Sequence, residues 1–244
     1  MHNYKMTVQY DGTRYSGWQR QGNTSSTIQG RLEQTLSRLL EEPISVSGSG
    51  RTDGGVHALG QIANFRTEKF LNCKEFRDRL NAALPEDIFA SDLRLAGERF
   101  HARLSAKEKV YRYTVENGAE RNVFARKYVY HVAEPLDGDK MTRAANLLLG
   151  THDFRGYSTG HTQKSTVRHL SSIDIRREGE NLTLTFTGNG FLYNMVRIMT
   201  GTLIEVGLGE RTPESVLTAL ESGKRTDAGF TAPPQGLCLM EVRY

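Results

Sequence analysis

GSGRTDGGVHALGQ, residues 48–61, joins two stretches that both read as β-strands. PISVSG (43–48) runs into it, and GQIANFRT (60–67) leaves it, with Ile62, Asn64 and Arg66 alternating against Ala63, Phe65 and Thr67. The loop begins like GxGxxG, but Asp53 stands where the third glycine belongs, and an acid there repels phosphate. The residues after the loop are strand-like, so no helix N-terminus is offered to an anion. A calcium loop fails as well, because it needs several oxygen-bearing side chains at alternate positions. Two readings stay open. Thr-Asp-Gly-Gly is a good turn sequence, and most Asp-Gly pairs are only turns. Alternatively, Asp53 is a lone reactive carboxylate on a loop that glycine makes easy to approach closely, with the nearby Arg51 favouring its ionised form. Such a carboxylate acts as nucleophile or base without metal or cofactor.

Outward from this loop, strands and helices interleave. KMTVQY (5–10) is a strand ending at Asp11-Gly12. SSTIQGRLEQTLSRLLEE places Ile28, Leu32, Leu36, Leu39 and Leu40 at helical spacing, with Ser26 and Gln29 as a capping box and Pro43 as its stop. LNCKEFRDRLNAAL is a second helix, with Asn72 as N-cap. Further on, VYRYTVE (110–116) is a strand and DKMTRAANLLLG a helix closed by Gly150. SIDIRRE and LTLTFTG pair as a hairpin across Gly179-Glu180-Asn181. An apolar helix runs from about Phe191 to Val206, a short one starts with Thr212 as cap and Pro213 in its first turn, and LCLMEVRY is a terminal strand. Hairpins among helices predict an α+β class with a mixed, mostly antiparallel sheet. The polar run SAKEK sets a boundary near residue 105, giving halves 1–105 and 106–244.

The 244 residues carry 37% hydrophobic and 25% charged side chains, an ordinary globular balance. FLYNMVRIMTGTLIEVG is long enough for a short membrane span, but Asn194, Arg197, Thr200 and Thr202 make it a buried amphipathic helix, so no membrane association is expected. The N-terminus enters a strand with no apolar signal region, which predicts a cytoplasmic protein. Cys73 and Cys238 fit no metal spacing and read as reduced thiols; the seven histidines form no cluster, so no metal is expected. A net charge of +4 and a pI near 9.1 tolerate a polyanionic partner without requiring one.

Two further features bear on chemistry. Arg197 is the only charged residue between Gly188 and Ile204. Either it snorkels to solvent, or it is buried and must meet an anion, for which Asp53 is a natural partner. Aromatics also stand beside cations: Arg14, Tyr15, Trp18 and Arg20 in RYSGWQRQ, then Phe100, His101 and Arg103 in RFHAR. Such groups suit unpaired RNA bases and their phosphates, although Trp18 and the alternating Tyr111, Tyr113 and Val115 equally suit a packed core.

In order along the chain, YDGTRYSGWQRQ, TIQGRLE, GRTDGGVHALGQ, FHARLSAKEKVYRY, GTHDF, NGFLYNMVRIMTGTLIEVG and APPQGLCLMEVRY together resemble the tRNA pseudouridine synthase A family. The resemblance implies a pseudouridine synthase fold: two ferredoxin-like α/β halves whose sheets join, with a central active-site cleft. It implies a homodimer, tRNA as partner, no cofactor, and conversion of uridine to pseudouridine in the anticodon stem-loop, at positions 38–40. By the same resemblance Asp53 is the catalytic aspartate, Tyr111 contacts the target base, and Arg197 pairs with the catalytic carboxylate; Arg51, from its place two residues before Asp53, is expected to support it. Gly54 departs from the family, which usually has alanine there. The target uridine must leave its stack to be reached. Asp53 then attacks C1′ or C6, or removes a sugar proton; sequence leaves all three routes open. A hydrolase with two facing carboxylates and an inactive RNA-binding module are the competing readings.

Overall fold

The computed structural model describes residues 1–160 and 165–244. They divide into two compact units, Met1–Lys107 with Leu239–Tyr244, and Glu108–Cys238.

The first unit contains β1 (His2–Tyr10), α1 (Ile28–Leu40), β2 (Val46–Gly48), β3 (His57–Thr67), α2 (Cys73–Ala83) and β4 (Ile88–Leu95). Its strands pair antiparallel in the order β4-β1-β3-β2. A β-α-β-β-α-β chain in that order is ferredoxin-like. Period-2 alternation sends Tyr4, Met6, Val8 and Tyr10 of β1 into the core. At 13 residues α1 is marginal as an isolated helix. Burial of Ile28, Leu32, Leu36 and Leu40, worth about 1.5–3 kcal/mol each, therefore decides that it forms. The terminal strand β10 (Leu237–Arg243) follows the end of the second unit, but from Leu239 onward its residues belong to the first unit, beside β3, rather than to the half that ends the chain. Gly60 permits that approach: a Cβ there would lie 2.2 Å from the Met240 carbonyl oxygen.

The second unit contains β5 (Glu108–Asn117), β6 (Tyr130–Val132), α3 (Gly138–Leu147), β7 (Gly150–Asp153), β8 (Val167–Glu178), β9 (Asn181–Gly188), α4 (Met195–Gly207) and α5 (Ser215–Ser222). Here β5-β9-β8-β7 pair antiparallel, and β6 joins β5 in parallel. The class is α+β with mixed, mostly antiparallel pairing, as the sequence pattern predicts. The β8–β9 hairpin closes through Gly179-Glu180, with Glu178 opposite Asn181 and Gly179 at φ 61°. Almost all of α4 is buried; Thr200 and Thr202 satisfy their hydroxyls on the carbonyls one turn back, at 2.8 Å each. No helix among the described residues is long and apolar enough to cross a membrane.

Several termini differ from the sequence expectation. The N-cap of α1 is Thr27, whose hydroxyl accepts the Gly30 N–H at 3.2 Å, not Ser26. Gln29 does not close a capping box; its side chain bonds Glu33 and the Val46 carbonyl, and accepts the Arg20 N–H. Helix α4 starts four residues later than its apolar pattern, because Asn194 takes a left-handed φ of 60°. Helix α3 stops at Leu147, and Gly150 (φ 98°) opens β7 instead of capping the helix. Thr212 contributes its carbonyl, not its side chain, to the turn that precedes α5.

Candidate active site

The 48–57 loop is held by a strap, residues 10–18, that runs from the end of β1 towards α1. Asp53 is half-buried, between Thr52 (6% exposed) and Val56 (2%). On the near side of Asp53, the Thr52 carbonyl accepts the Trp18 N–H at 3.0 Å, and its hydroxyl pairs with the Tyr10 hydroxyl at 2.8 Å. On the far side, Gly55 N–H donates to the Tyr15 carbonyl at 3.2 Å, and Gly12 N–H donates to His57 Nδ1 at 3.1 Å. Val56 N–H closes a turn onto the Asp53 carbonyl itself at 3.2 Å. The strap is anchored in its turn. Asp87 accepts from the Tyr15 hydroxyl and from Arg14, both at 2.6 Å. Burial, then the hydrogen bond to Asp87, pushes the Tyr15 phenol well above its ordinary range, so it stays a donor at any working pH. The Gly17 and Trp18 carbonyls accept the Ile28 and Gln29 N–H groups, which would otherwise be orphaned at the start of α1.

Two glycines make this contact possible. Gly17 sits at φ 100°, and a Cβ there would lie 2.7 Å from the Thr52 carbonyl oxygen and 3.2 Å from the Asp53 carbonyl carbon. A Cβ on Gly12 would lie 2.0 Å from the Val56 carbonyl oxygen. Gly54 is different. It is exposed, and an added Cβ would meet the Tyr15 and Ser16 backbone only at 3.5–3.7 Å, ordinary contact distance. Gly54→Ala should therefore stabilise the protein by about 0.4–1 kcal/mol through the unfolded chain. That is a rise of about 1–4 °C in Tm, read by calorimetry with activity retained. A fall in Tm would contradict the loop geometry.

In the second unit, Tyr111 on β5 is 7% exposed, with the Phe191 ring edge-on at 5.2 Å between centroids. Arg197, on the first turn of α4, is half-buried. Its Nε donates to the Ala232 carbonyl at 2.7 Å and its guanidinium to Asn194 Oδ1 at 2.8 Å. Neither acceptor is charged, and both fix the side chain's direction. Sequence reasoning misses Asn194 as a site residue; an asparagine just before an apolar helix is the signal that marks it. Tyr113, two residues from Tyr111, is fully buried and donates to the Pro233 carbonyl at 2.7 Å. Burial raises its phenol far above the usual value, and the nearby Arg197 opposes the rise.

The candidates for RNA contact separate. Trp18 is 3% exposed, and its ring lies so close over Gly48 that a Cβ there would be 2.5 Å from it. A ring buried in this way presents no face to a base, so Trp18 is a packing residue. Arg14 keeps an exposed side chain but is tied to Asp87. Phe100 packs on Tyr244 with the Lys5 ammonium 5.1 Å from its ring centroid, and His101 Nδ1 accepts the Arg103 and Leu104 N–H groups within one turn. Arg51 and Arg103 are exposed cations. Sequence reasoning also passes over Tyr10, Thr52, Gly12 and Gly17, although two glycines bracketing an aromatic stretch are a sign of close backbone contact. Cys73 and Cys238 are half-buried thiols. Among the described residues, no group of three or more His, Cys, Asp or Glu side chains is placed to hold a metal ion.

Comparison with known proteins joins these features to a family. A family model described as tRNA pseudouridine synthase matches residues 6–105 and 144–244. The chain is 47% identical to tRNA pseudouridine synthase A of Bacillus sp. (strain KSM-64) across 100% of both chains. It is 46% identical to the protein of that name from Geotalea uraniireducens and 43% identical to that from Acetivibrio thermocellus, again across 100% of each. Both matched segments of the family model take in site elements, the Asp53 loop in the first and α4 in the second: the chain belongs to the tRNA pseudouridine synthase family.

Proposed function

We propose that this protein is an isomerase that converts uridine to pseudouridine in tRNA, acting in the anticodon stem-loop at positions 38–40, with Asp53 as its catalytic carboxylate. The observation that carries the reading is the construction of the Asp53 loop. A half-exposed acid stands on a loop that is hydrogen-bonded on both sides of it and sunk into the protein at Thr52 and Val56, within a chain of this family. A turn needing only Asp-Gly chemistry has no use for that many anchors.

The target nucleotide leaves its stack, since its glycosidic bond is unreachable within a helix. Tyr111, held edge-on by Phe191, borders the extruded uracil. Arg197, fixed by Ala232 and Asn194, is the cation assigned to the charge of the Asp53 carboxylate. The N1–C1′ bond breaks, the uracil turns, and C5–C1′ forms; the C5 proton is lost to solvent and N1 gains one. Substrate and product are isomers, so no external oxidant, reductant or group donor is consumed. Arg51 adds positive charge beside Asp53, and the exposed Arg14 and Arg103 meet tRNA phosphates, so affinity falls with salt. The working form is a homodimer in the cytoplasm, with one tRNA contacting both subunits. Mapping pseudouridine in tRNA from cells with and without this protein tests the reading. Loss confined to positions 38–40 supports it; an unchanged map overturns it.

A further inference from the structure

The stretch YDGTRYSGW carries three aromatics and one cation but offers no exposed ring from Trp18, so it has another task. We propose that the Tyr10–Thr52 hydroxyl pair is the positioning device of the active site: it sets the direction of the Asp53 carboxylate and acts on the rate of rearrangement without touching tRNA. The inference rests on Asp53 being the catalytic carboxylate.

Thr52 is the residue bonded to Asp53, and it is held at two points. Its carbonyl takes the Trp18 N–H at 3.0 Å, and its hydroxyl meets the Tyr10 hydroxyl at 2.8 Å. Tyr10 and Thr52 are 5% and 6% exposed, so water competes little for either hydroxyl. Tyr10 ends β1, which pairs on both edges with β3 and β4. The hydroxyl pair therefore ties the peptide before Asp53 to the middle of a sheet. The strap passes close to the same backbone at Gly17, where a Cβ would lie 2.7 Å from the Thr52 oxygen and 3.2 Å from the Asp53 carbonyl carbon of the following peptide. The Trp18 N–H holds the carbonyl end of this peptide, and the side-chain pair holds Thr52 against rotation about its own backbone bonds. Because Asp53 has a short side chain, rotation of its backbone moves the carboxylate directly, and a misplacement of about 1 Å at a reacting group costs on the order of a hundredfold in rate.

The test is single-turnover tritium release from tRNA carrying 5-tritiated uridine, at saturating enzyme, with tRNA affinity and Tm measured on the same preparations. Tyr10→Phe and Thr52→Val keep shape and remove one hydroxyl each. Each is expected to slow release by about tenfold or more, with affinity within about twofold of wild type and the protein folded at the assay temperature. The double variant should be no slower than the worse single, and Thr52→Ser, which restores the hydroxyl, should recover most of the rate. Singles within about twofold of wild type, losses that multiply in the double variant, or rate losses matched by equal losses of affinity would each overturn the assignment. Asp53→Asn measured alongside separates the failures. Inactive Asp53→Asn with fully active Tyr10→Phe overturns the positioning alone, whereas active Asp53→Asn overturns the carboxylate reading and the positioning with it.

Discussion

Asp53→Asn is expected to leave the protein folded and able to bind tRNA but to reduce pseudouridine formation to background. The substitution keeps size and replaces the charged carboxylate by a neutral amide. Every route open to a lone carboxylate, whether attack at C1′, attack at C6 or removal of a sugar proton, needs that charge. The Thr52 carbonyl and hydroxyl, the Gly55 N–H and the His57 ring all anchor the loop, and the substitution leaves each of these bonds in place. Stability should therefore shift by about 1 kcal/mol or less, as for half-exposed sites in general. A loss of at least about a thousandfold in turnover is expected, as when a group that acts in the transition state is removed. Turnover near the wild-type rate would remove Asp53 from the chemistry.

Gly12→Ala has the largest expected effect on the fold. The added Cβ would lie 2.0 Å from the Val56 carbonyl oxygen and 2.6 Å from its carbon, both backbone atoms with no rotamer to yield. Relief requires parting the strap from the loop, which breaks the Gly12–His57 bond and exposes Val56. The expected cost is at least about 3 kcal/mol, a large part of the 5–15 kcal/mol that ordinarily holds a domain together. Urea denaturation should show a lowered midpoint, and activity should fall with it because the same contact holds the Asp53 loop. A stability within about 0.5 kcal/mol of wild type would show that the strap yields more easily than its geometry implies.

Much of this architecture is legible in the sequence because its signals are local. The four-residue spacing of Ile28, Leu32, Leu36 and Leu40 makes α1, and the alternation after Gly60 makes β3. Gly179 closes the β8–β9 hairpin because its φ of 61° suits a residue without a side chain. What the sequence hides is tertiary. Ser26 and Thr27 are both good caps, and the strap carbonyls that take the first N–H groups of α1 favour Thr27. The apolar run from Phe191 reads as helix, yet Asn194 turns left-handed and its side chain holds Arg197. Trp18 resembles a stacking platform until Gly48 is seen beneath it, some thirty residues away in sequence. Asp53 itself stands out from glycine-rich surroundings; Tyr10 and Thr52 do not, because a hydroxyl pair joining strand end to loop leaves no periodic trace.

Whether one carboxylate rearranges a nucleotide without metal or cofactor is addressed by a single assay: wild-type protein in excess chelator with tRNA transcript carrying 5-tritiated uridine, completed by analysis of every uracil-containing product. The prediction is one tritium released for each pseudouridine formed, no free uracil, and no activity from Asp53→Asn under the same conditions. Free uracil as the product, or release that stops when metal is withdrawn, would contradict it.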